Sequence, residues 1–194
     1  MASPSLILAS SSPRRSRLLA EYGFDFEVRT AGVDELQDAT MDPAALVAFN
    51  ARLKALSVAQ LQGDCVVLGA DTVVAFGSKI LGKPSSMEEA IRMLEELNGR
   101  EHTVFSGVCL VRQNAGLEQG FVEHTTVRFH DLNAAQRLAY LQRINPLDKA
   151  GAYAAQDDAG ELIAGFEGSF SNVIGLPMEP LVPRLAALGV LPRR

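Results

Sequence analysis

Along this chain of 194 residues the hydrophobic pattern switches repeatedly between short apolar runs and helical spacing, in no regular order. Regular alternation builds a purely parallel sheet, whereas irregular alternation calls for an α/β fold with a mixed sheet. Residues 5–9 read as a buried strand. Ser12-Pro13 then opens a helix, with Ser12 as N-cap and Pro13 at the first helical position. Leu18, Leu19 and Tyr22 give that helix its apolar side, and Gly23 ends it. A short strand at 24–29 and an acidic turn, Asp34-Glu35, follow.

Asp42-Pro43 starts a second helix, whose expected apolar face is Leu46, Phe49, Leu53 and Leu56. Residues 65–70 form an apolar strand that reaches Gly69-Ala70-Asp71-Thr72 and runs on to Phe76; Gly77-Ser78 turns it back through Ile80-Leu81. Ser86-Met87-Glu88-Glu89 has the form of a capping box, opening a third helix that stops near Asn98-Gly99. Residues 103–112 and 121–130 read as an antiparallel pair joined through Asn114-Ala115-Gly116. Asn133 caps a helix to about Ile144, and Asn145-Pro146 breaks it. A hairpin turning near 157–160 and a Leu-rich helix complete the pattern. No linker, repeat or shift in composition divides the chain, so residues 1–194 read as one domain.

Composition narrows the function. The 18 Lys and Arg against 23 Asp and Glu give a formal charge of −5, which offers no bulk attraction to nucleic acid or to an anionic membrane surface. The longest apolar runs are far short of a membrane span, and no secretory signal pattern opens the chain. Cys65 and Cys109 lie in strand-like apolar runs and read as buried thiols of a cytoplasmic protein, a disulfide being the alternative. No zinc-type ligand spacing occurs. P-loop, dinucleotide and nucleophile-elbow motifs are absent, and His102, His124 and His130 have no evident catalytic partner.

Three features carry chemistry. The turn Ser10-Ser11-Ser12-Pro13-Arg14-Arg15 places two arginines and free N–H groups at a helix start, a natural anion site. A capped helix with solvated arginines would have the same sequence. Asp71, at the end of an apolar run, can coordinate Mg²⁺ or take a proton from water, or merely cap a turn. Glu35, Lys54, Lys83 and Lys149 are scattered single charges, with Lys83 fixed in the rigid turn Gly82-Lys83-Pro84. Together they form the kit that phosphoryl chemistry needs: cations on phosphates, carboxylates for a metal, and a base near the attacking water.

Five segments resemble, in order, the signature blocks of the Maf family: Leu8-Ala9-Ser10-Ser11-Ser12-Pro13-Arg14-Arg15, Gly69-Ala70-Asp71-Thr72, Gly82-Lys83-Pro84, Asp148-Lys149-Ala150-Gly151-Ala152-Tyr153 and Asn172-Val173-Ile174-Gly175-Leu176-Pro177. The resemblance implies an elongated mixed sheet with flanking helices and two lobes around a cleft, similar to the inosine triphosphatase fold. It implies hydrolysis of nucleoside triphosphates between the α and β phosphates with a divalent metal, Mg²⁺ or Mn²⁺, and suggests a homodimer. By the same resemblance Asp71, Glu35, Lys54 and Lys83 are catalytic, with Asp71 and Glu35 as metal ligands. Ser10, Arg14, Arg15, Thr72, Lys149 and Gln156 bind substrate. Arg14, Thr72 and Gln156 match the branch acting on dTTP and UTP, where a glutamine amide can pair with a pyrimidine edge. The branch acting on 7-methylguanosine triphosphate has Trp, Gln and Glu instead. A nucleotide-binding regulator linked to septum formation is the alternative from another class, and a pyrophosphatase of different base preference is a further one. The chain departs from the family pattern at Ala154-Ala155-Gln156-Asp157, where Gly-Ile-Gln-Gly is usual, and at Asn50-Ala51, where Leu-Ala is usual. The cations Arg14, Arg15, Lys54 and Lys83 are expected to form a locally positive pocket inside an acidic protein.

Overall fold

The computed structural model describes residues 5–60, 64–158 and 160–193. In chain order the elements are β1 (Ser5–Leu8), α1 (Pro13–Glu21), β2 (Phe26–Val28), α2 (Pro43–Ala59), β3 (Cys65–Phe76), β4 (Lys79–Leu81), α3 (Met87–Leu97), β5 (Glu101–Arg112), β6 (Leu117–Phe129), α4 (Ala134–Arg143), β7 (Ile163–Glu167), α5 (Phe170–Ile174) and α6 (Met178–Ala187). The sheet order is β2-β1-β3-β5-β6-β7, with β4 also on β3. The β2-β1-β3 side is parallel; β4 and the strands from β5 onward are antiparallel. This is the mixed α/β sheet expected from the irregular alternation.

One topological detail makes the site. β1 pairs with β3 only from Ser5↔Cys65 to Leu8↔Leu68, and β4 takes up the same strand from Val74↔Leu81. Between them the edge of β3 is open, and Asp71 and Thr72 lie in the gap. The pleat sends successive side chains to opposite faces. Leu68, Ala70 and the neighbouring Leu6 and Leu8 face a core with α1 and α6, while Val67 and Ile7 face α2. Asp71 therefore points with Val67 toward α2, and Thr72 points to the other side. A second lobe packs Leu94 and Leu97 of α3 and Tyr140 of α4 against Val104, Val127 and Tyr153.

Three local expectations are corrected. The face of α2 that packs is not Leu46, Phe49, Leu53 and Leu56. Phe49 is exposed, and Val47, Ala51, Ala55 and Val58 are buried with Leu46. The helix lies so close to the sheet that a Cβ at Gly69 would stand 2.6 Å from Ala55 N, and one at Gly107 2.7 Å from Ala48 N. Only small residues fit at that approach. No hairpin turns at 157–160 among the described residues. Short 3₁₀ turns at Pro146–Asp148, Ala150–Ala152 and Ala155–Asp157 lead into β7, which pairs with β6. Ser12 occupies the N-cap position without a side-chain cap bond, and its own N–H donates to Ser10 Oγ at 3.2 Å.

The other caps behave as their chemistry requires. Asp42 accepts from Ala45 N, and Asn133 and Gln136 form a reciprocal capping box. At α3, Ser86 accepts from Glu89 N, but the Glu89 carboxylate reaches Ser85 instead of closing the box. His102 is a buried strand residue, bonded through Nε2 to the Tyr153 hydroxyl at 3.0 Å. Cys65 and Cys109 are both buried in the sheet, where desolvation pushes the Cys109 thiol up to about 11.

Candidate active site

The open edge of β3 forms the floor of a cleft of about 920 Å³, walled by the turn 9–15, the segment 30–39, α2, β4 with Gly82-Lys83, and residues 148–156. That volume is in the range of sites that enclose a small ligand. Its centre is ionic. Lys54, on α2, places Nζ 2.7 Å from Asp71 Oδ1 and 3.0 Å from Glu35 Oε1. Lys54 and Asp71 are buried, whereas the Glu35 side chain is 40% exposed. A buried carboxylate survives only with a cation and hydrogen bonds around it. Here Lys54 supplies the charge, and Asn50 Nδ2 donates to Asp71 Oδ2 at 3.1 Å.

On the opposite face of the strand, Arg15 is buried and uses four of its five N–H donors. It donates to Gly175 O at 2.9 Å, Ser10 Oγ at 3.0 Å, Ala70 O at 2.9 Å and Thr72 Oγ1 at 3.0 Å. Ala70 O lies on the unpaired edge of β3, so Arg15 and, at 3.4 Å, Lys54 supply the donors that a neighbouring strand would otherwise give. Burial pulls the Arg15 guanidinium pKa below its ordinary value, with the nearby Asp71 charge acting the other way. Thr72 is similarly engaged, donating to Gly175 O at 3.3 Å and meeting Ser106 Oγ at 2.9 Å. Arg15, Thr72 and Ser10 thus fasten the turn 9–15 and the Gly175 loop to the strand.

Arg14 reaches across the cleft to Asp148, with 3.0 Å contacts to its carboxylate and to its carbonyl oxygen. Lys149 donates to Asp148 Oδ1 and Asn145 O, both at 2.7 Å. These two cations hold the Asp148 carboxyl below the usual carboxylate range, although its partial burial works in the other direction. Lys83 lines the cleft, is exposed, and makes no ion pair among the described residues. Gln156 also lines it: Nε2 donates to Asp157 at 3.0 Å, and the buried Oε1 has no partner among the described residues. The preceding backbone is unusual, with Gly151 and the buried Ala152 both at positive φ, +67° and +63°. An alanine held there costs of order 1–2 kcal/mol, and such strain gathers at functional loops.

The expected positive pocket is not what forms. The cleft wall carries seven cations (Arg14, Arg15, Lys54, Lys79, Lys83, Arg92 and Lys149) and seven carboxylates (Asp34, Glu35, Asp38, Asp71, Glu89, Glu96 and Asp148). Most of these cations arrive already paired, as Lys54, Arg14, Lys149 and Lys79 do. The acids beyond Asp71 and Glu35 reach the wall from separate segments, and, apart from Asp148 beside Lys149, nothing in the sequence marks them as partners of these cations. Asn50 and Asp148 are not among the expected site residues: the signal of Asn50 is a polar residue one helical turn before Lys54 on the same face of α2, and that of Asp148 is its place beside Lys149, with which it pairs.

The ten residues expected at the site converge on this one cleft, on a mixed sheet, with a paired carboxylate–ammonium centre and cations on both rims. The chain belongs to the Maf family: the family described as Maf-like protein matches residues 5–188. A protein named dTTP/UTP pyrophosphatase from Pelotomaculum thermopropionicum is 42% identical over 95% of this chain and 96% of its own length. Proteins of the same name from Moorella thermoacetica and Myxococcus xanthus are 44% and 45% identical, each over 95% of this chain and covering 95% and 93% of the relative. The Staphylococcus aureus Ham1 protein superposes on 81% of the chain at 14% identity with a TM-score of 0.46, too loose a likeness to bear on the fold.

Proposed function

We propose that this chain hydrolyses nucleoside triphosphates between the α and β phosphates, releasing a nucleoside monophosphate and pyrophosphate, with dTTP and UTP as its substrates. The observation that carries the reading is the buried Lys54–Asp71 pair with Glu35 beside it, on the open edge of β3. The names borne by relatives at 42–45% identity support the choice of substrate. In this reading the whole chain acts as one unit on free nucleotides in the cytoplasm.

Water attacks the α phosphorus while Asp71 accepts its proton, and the bond from that phosphorus to the bridging oxygen breaks as pyrophosphate leaves. Lys54 orients the Asp71 carboxylate and lies where negative charge develops. Arg14 and Lys149 exchange part of their hold on Asp148 for phosphate oxygens, and the exposed Lys83 meets the phosphates from the β4 side. Gln156 Oε1, buried without a partner among the described residues, accepts from the N3–H of uracil or thymine.

The donor set fits a hard divalent cation. Asp71 Oδ1 and Glu35 Oε1 both face the Lys54 ammonium, and the same two carboxylates would hold Mg²⁺ together with substrate phosphates once a triphosphate draws Lys54 aside. A cleft wall balanced in charge also favours a triphosphate that carries its own counter-cation. When bound there, such a cation neutralises phosphate charge and polarises the phosphoryl oxygens.

The test is pyrophosphate release from dTTP, UTP, CTP, GTP and 7-methyl-GTP, with and without Mg²⁺. Metal-dependent turnover led by dTTP and UTP is expected. A purine-led profile rejects the assignment of base, and no turnover on any of the five favours a nucleotide-binding regulator.

A further inference from the structure

We infer that Asn50 is a positioning residue of this site, whose side-chain amide clamps Leu36, and with it Glu35, against the carboxylate of Asp71. The inference rests on the hydrolytic reading above and names a residue that reading does not use.

Asn50 is 2% exposed, and its amide is engaged on three sides. Oδ1 accepts from Leu36 N at 2.9 Å, and Nδ2 donates to Leu36 O at 3.0 Å and to Asp71 Oδ2 at 3.1 Å. An amide side chain can meet a peptide unit as a neighbouring strand does, acceptor to N–H and donor to C=O, and keep one N–H for a third partner. Both donors of Asn50 are used in this way. One group thereby fixes two carboxylates, Asp71 directly and Glu35 through the adjoining backbone.

The segment 30–41 has no helix or strand of its own. Among the described residues its hydrogen bonds and ion pairs to the rest of the chain are those of Asn50 with Leu36 and of Lys54 with Glu35. Both anchors come from one face of α2, four residues apart. They differ in kind. The Lys54–Glu35 pair is ionic and half exposed on the carboxylate side, so it weakens whenever another cation or a phosphate enters. The Asn50 bonds to Leu36 are neutral and partly buried, made by a side chain that is itself buried, so they persist as charge moves in and out. Asn50 therefore keeps Glu35 beside Asp71 when Lys54 is drawn toward substrate.

The experiment compares the wild-type chain with Asn50→Leu, Asn50→Asp, Glu35→Gln and the Asn50→Leu/Glu35→Gln double variant, reading pyrophosphate release from dTTP and backbone amide exchange. Leucine is the residue usual at this position in the family, so the clamp is a feature of this chain; here Asn50→Leu is expected to lower kcat about 10- to 100-fold with KM within about twofold, the scale found when a group that orients site ligands is removed. It should also speed exchange at Leu36 while the β3 amides stay protected. Asn50→Asp keeps the acceptor for Leu36 N but sets a carboxylate against Asp71, so kcat should fall further than in Asn50→Leu. A purely structural role predicts the reverse order, because aspartate retains more of the loop contact. In the Glu35→Gln background, Asn50→Leu should cost less than alone, since the part acting through Glu35 is already lost while the direct bond to Asp71 still counts. Wild-type kcat in either Asn50 variant, additive losses in the double variant, or unchanged exchange at Leu36 in Asn50→Leu would overturn the inference. An inactive wild-type chain overturns the hydrolytic reading instead, and the exchange measurement still decides whether Asn50 holds the segment.

Discussion

Replacing Gly69 with alanine tests whether the distance between α2 and β3 controls the catalytic centre. The added Cβ would stand 2.6 Å from Ala55 N and 2.9 Å from Ala55 Cβ, where ordinary contact begins at 3.4 Å. The atoms met are helix backbone and a methyl group, which cannot swing aside, so α2 has to withdraw by about 1 Å. Overpacking of this kind costs about 1–3 kcal/mol, and the lower chain entropy of alanine in a strand returns about 0.5–1 kcal/mol. For a chain of this length a net loss of about 1–2 kcal/mol lowers Tm by about 2–8 °C. Activity is expected to fall more steeply. The same withdrawal takes Lys54 Nζ from 2.7 Å to beyond hydrogen-bond reach of Asp71 Oδ1, and a misplacement of about 1 Å at a reacting group can cost about 100-fold. The assay pairs a thermal melt with kcat on dTTP. Gly32→Ala is the control, since a Cβ there meets nothing within 4 Å and should cause no drop in Tm. A Gly69→Ala chain with wild-type Tm and kcat would refute the reasoning.

Arg15→Met strands Gly175 O, Ala70 O and two hydroxyls in a buried position, so it is expected to cost about 3 kcal/mol in urea unfolding. A loss under about 1 kcal/mol, with KM raised instead, would make Arg15 chiefly a phosphate ligand. His102 gives a pH signature. Burial lowers its pKa from 6.5 to about 4, so between those values the unfolded chain binds a proton that the folded chain does not. Stability should therefore decline as pH falls through that window, by up to about 3 kcal/mol from this group. His102→Phe should remove that part of the slope in denaturant titrations at pH 4.5 and 7 (roughly the window's ends); an unchanged slope would assign it to other groups.

Residues whose chemistry is local were readable in the sequence. The strand-to-helix turn at Ser10–Arg15, the caps Asp42 and Asn133, and Asp71 inside an apolar run each declare themselves through neighbours in the chain. What depends on two distant segments was not readable. The buried face of α2 follows from Gly69 and Gly107 on two different strands, so helical periodicity alone favoured Phe49, which is exposed. The segment 145–158 is shaped by packing around Tyr140 and Tyr153 and by positive φ at Ala152, a conformation no alanine signals. Charge was misread for the same reason. Arg14 and Asp148 are 134 residues apart and 3.0 Å from each other, and a composition sum cannot see that pairing.

The central claim is that water is added to the α phosphorus with Asp71 as the proton acceptor. It is tested most directly by hydrolysing dTTP with Mg²⁺ in water enriched in the heavy oxygen isotope and weighing both products, for the wild-type chain and for Asp71→Asn. The account predicts one labelled oxygen in dTMP, none in pyrophosphate, and a loss of several orders of magnitude in rate for a folded Asp71→Asn chain. Label in the pyrophosphate, or near-wild-type turnover by Asp71→Asn, would contradict it.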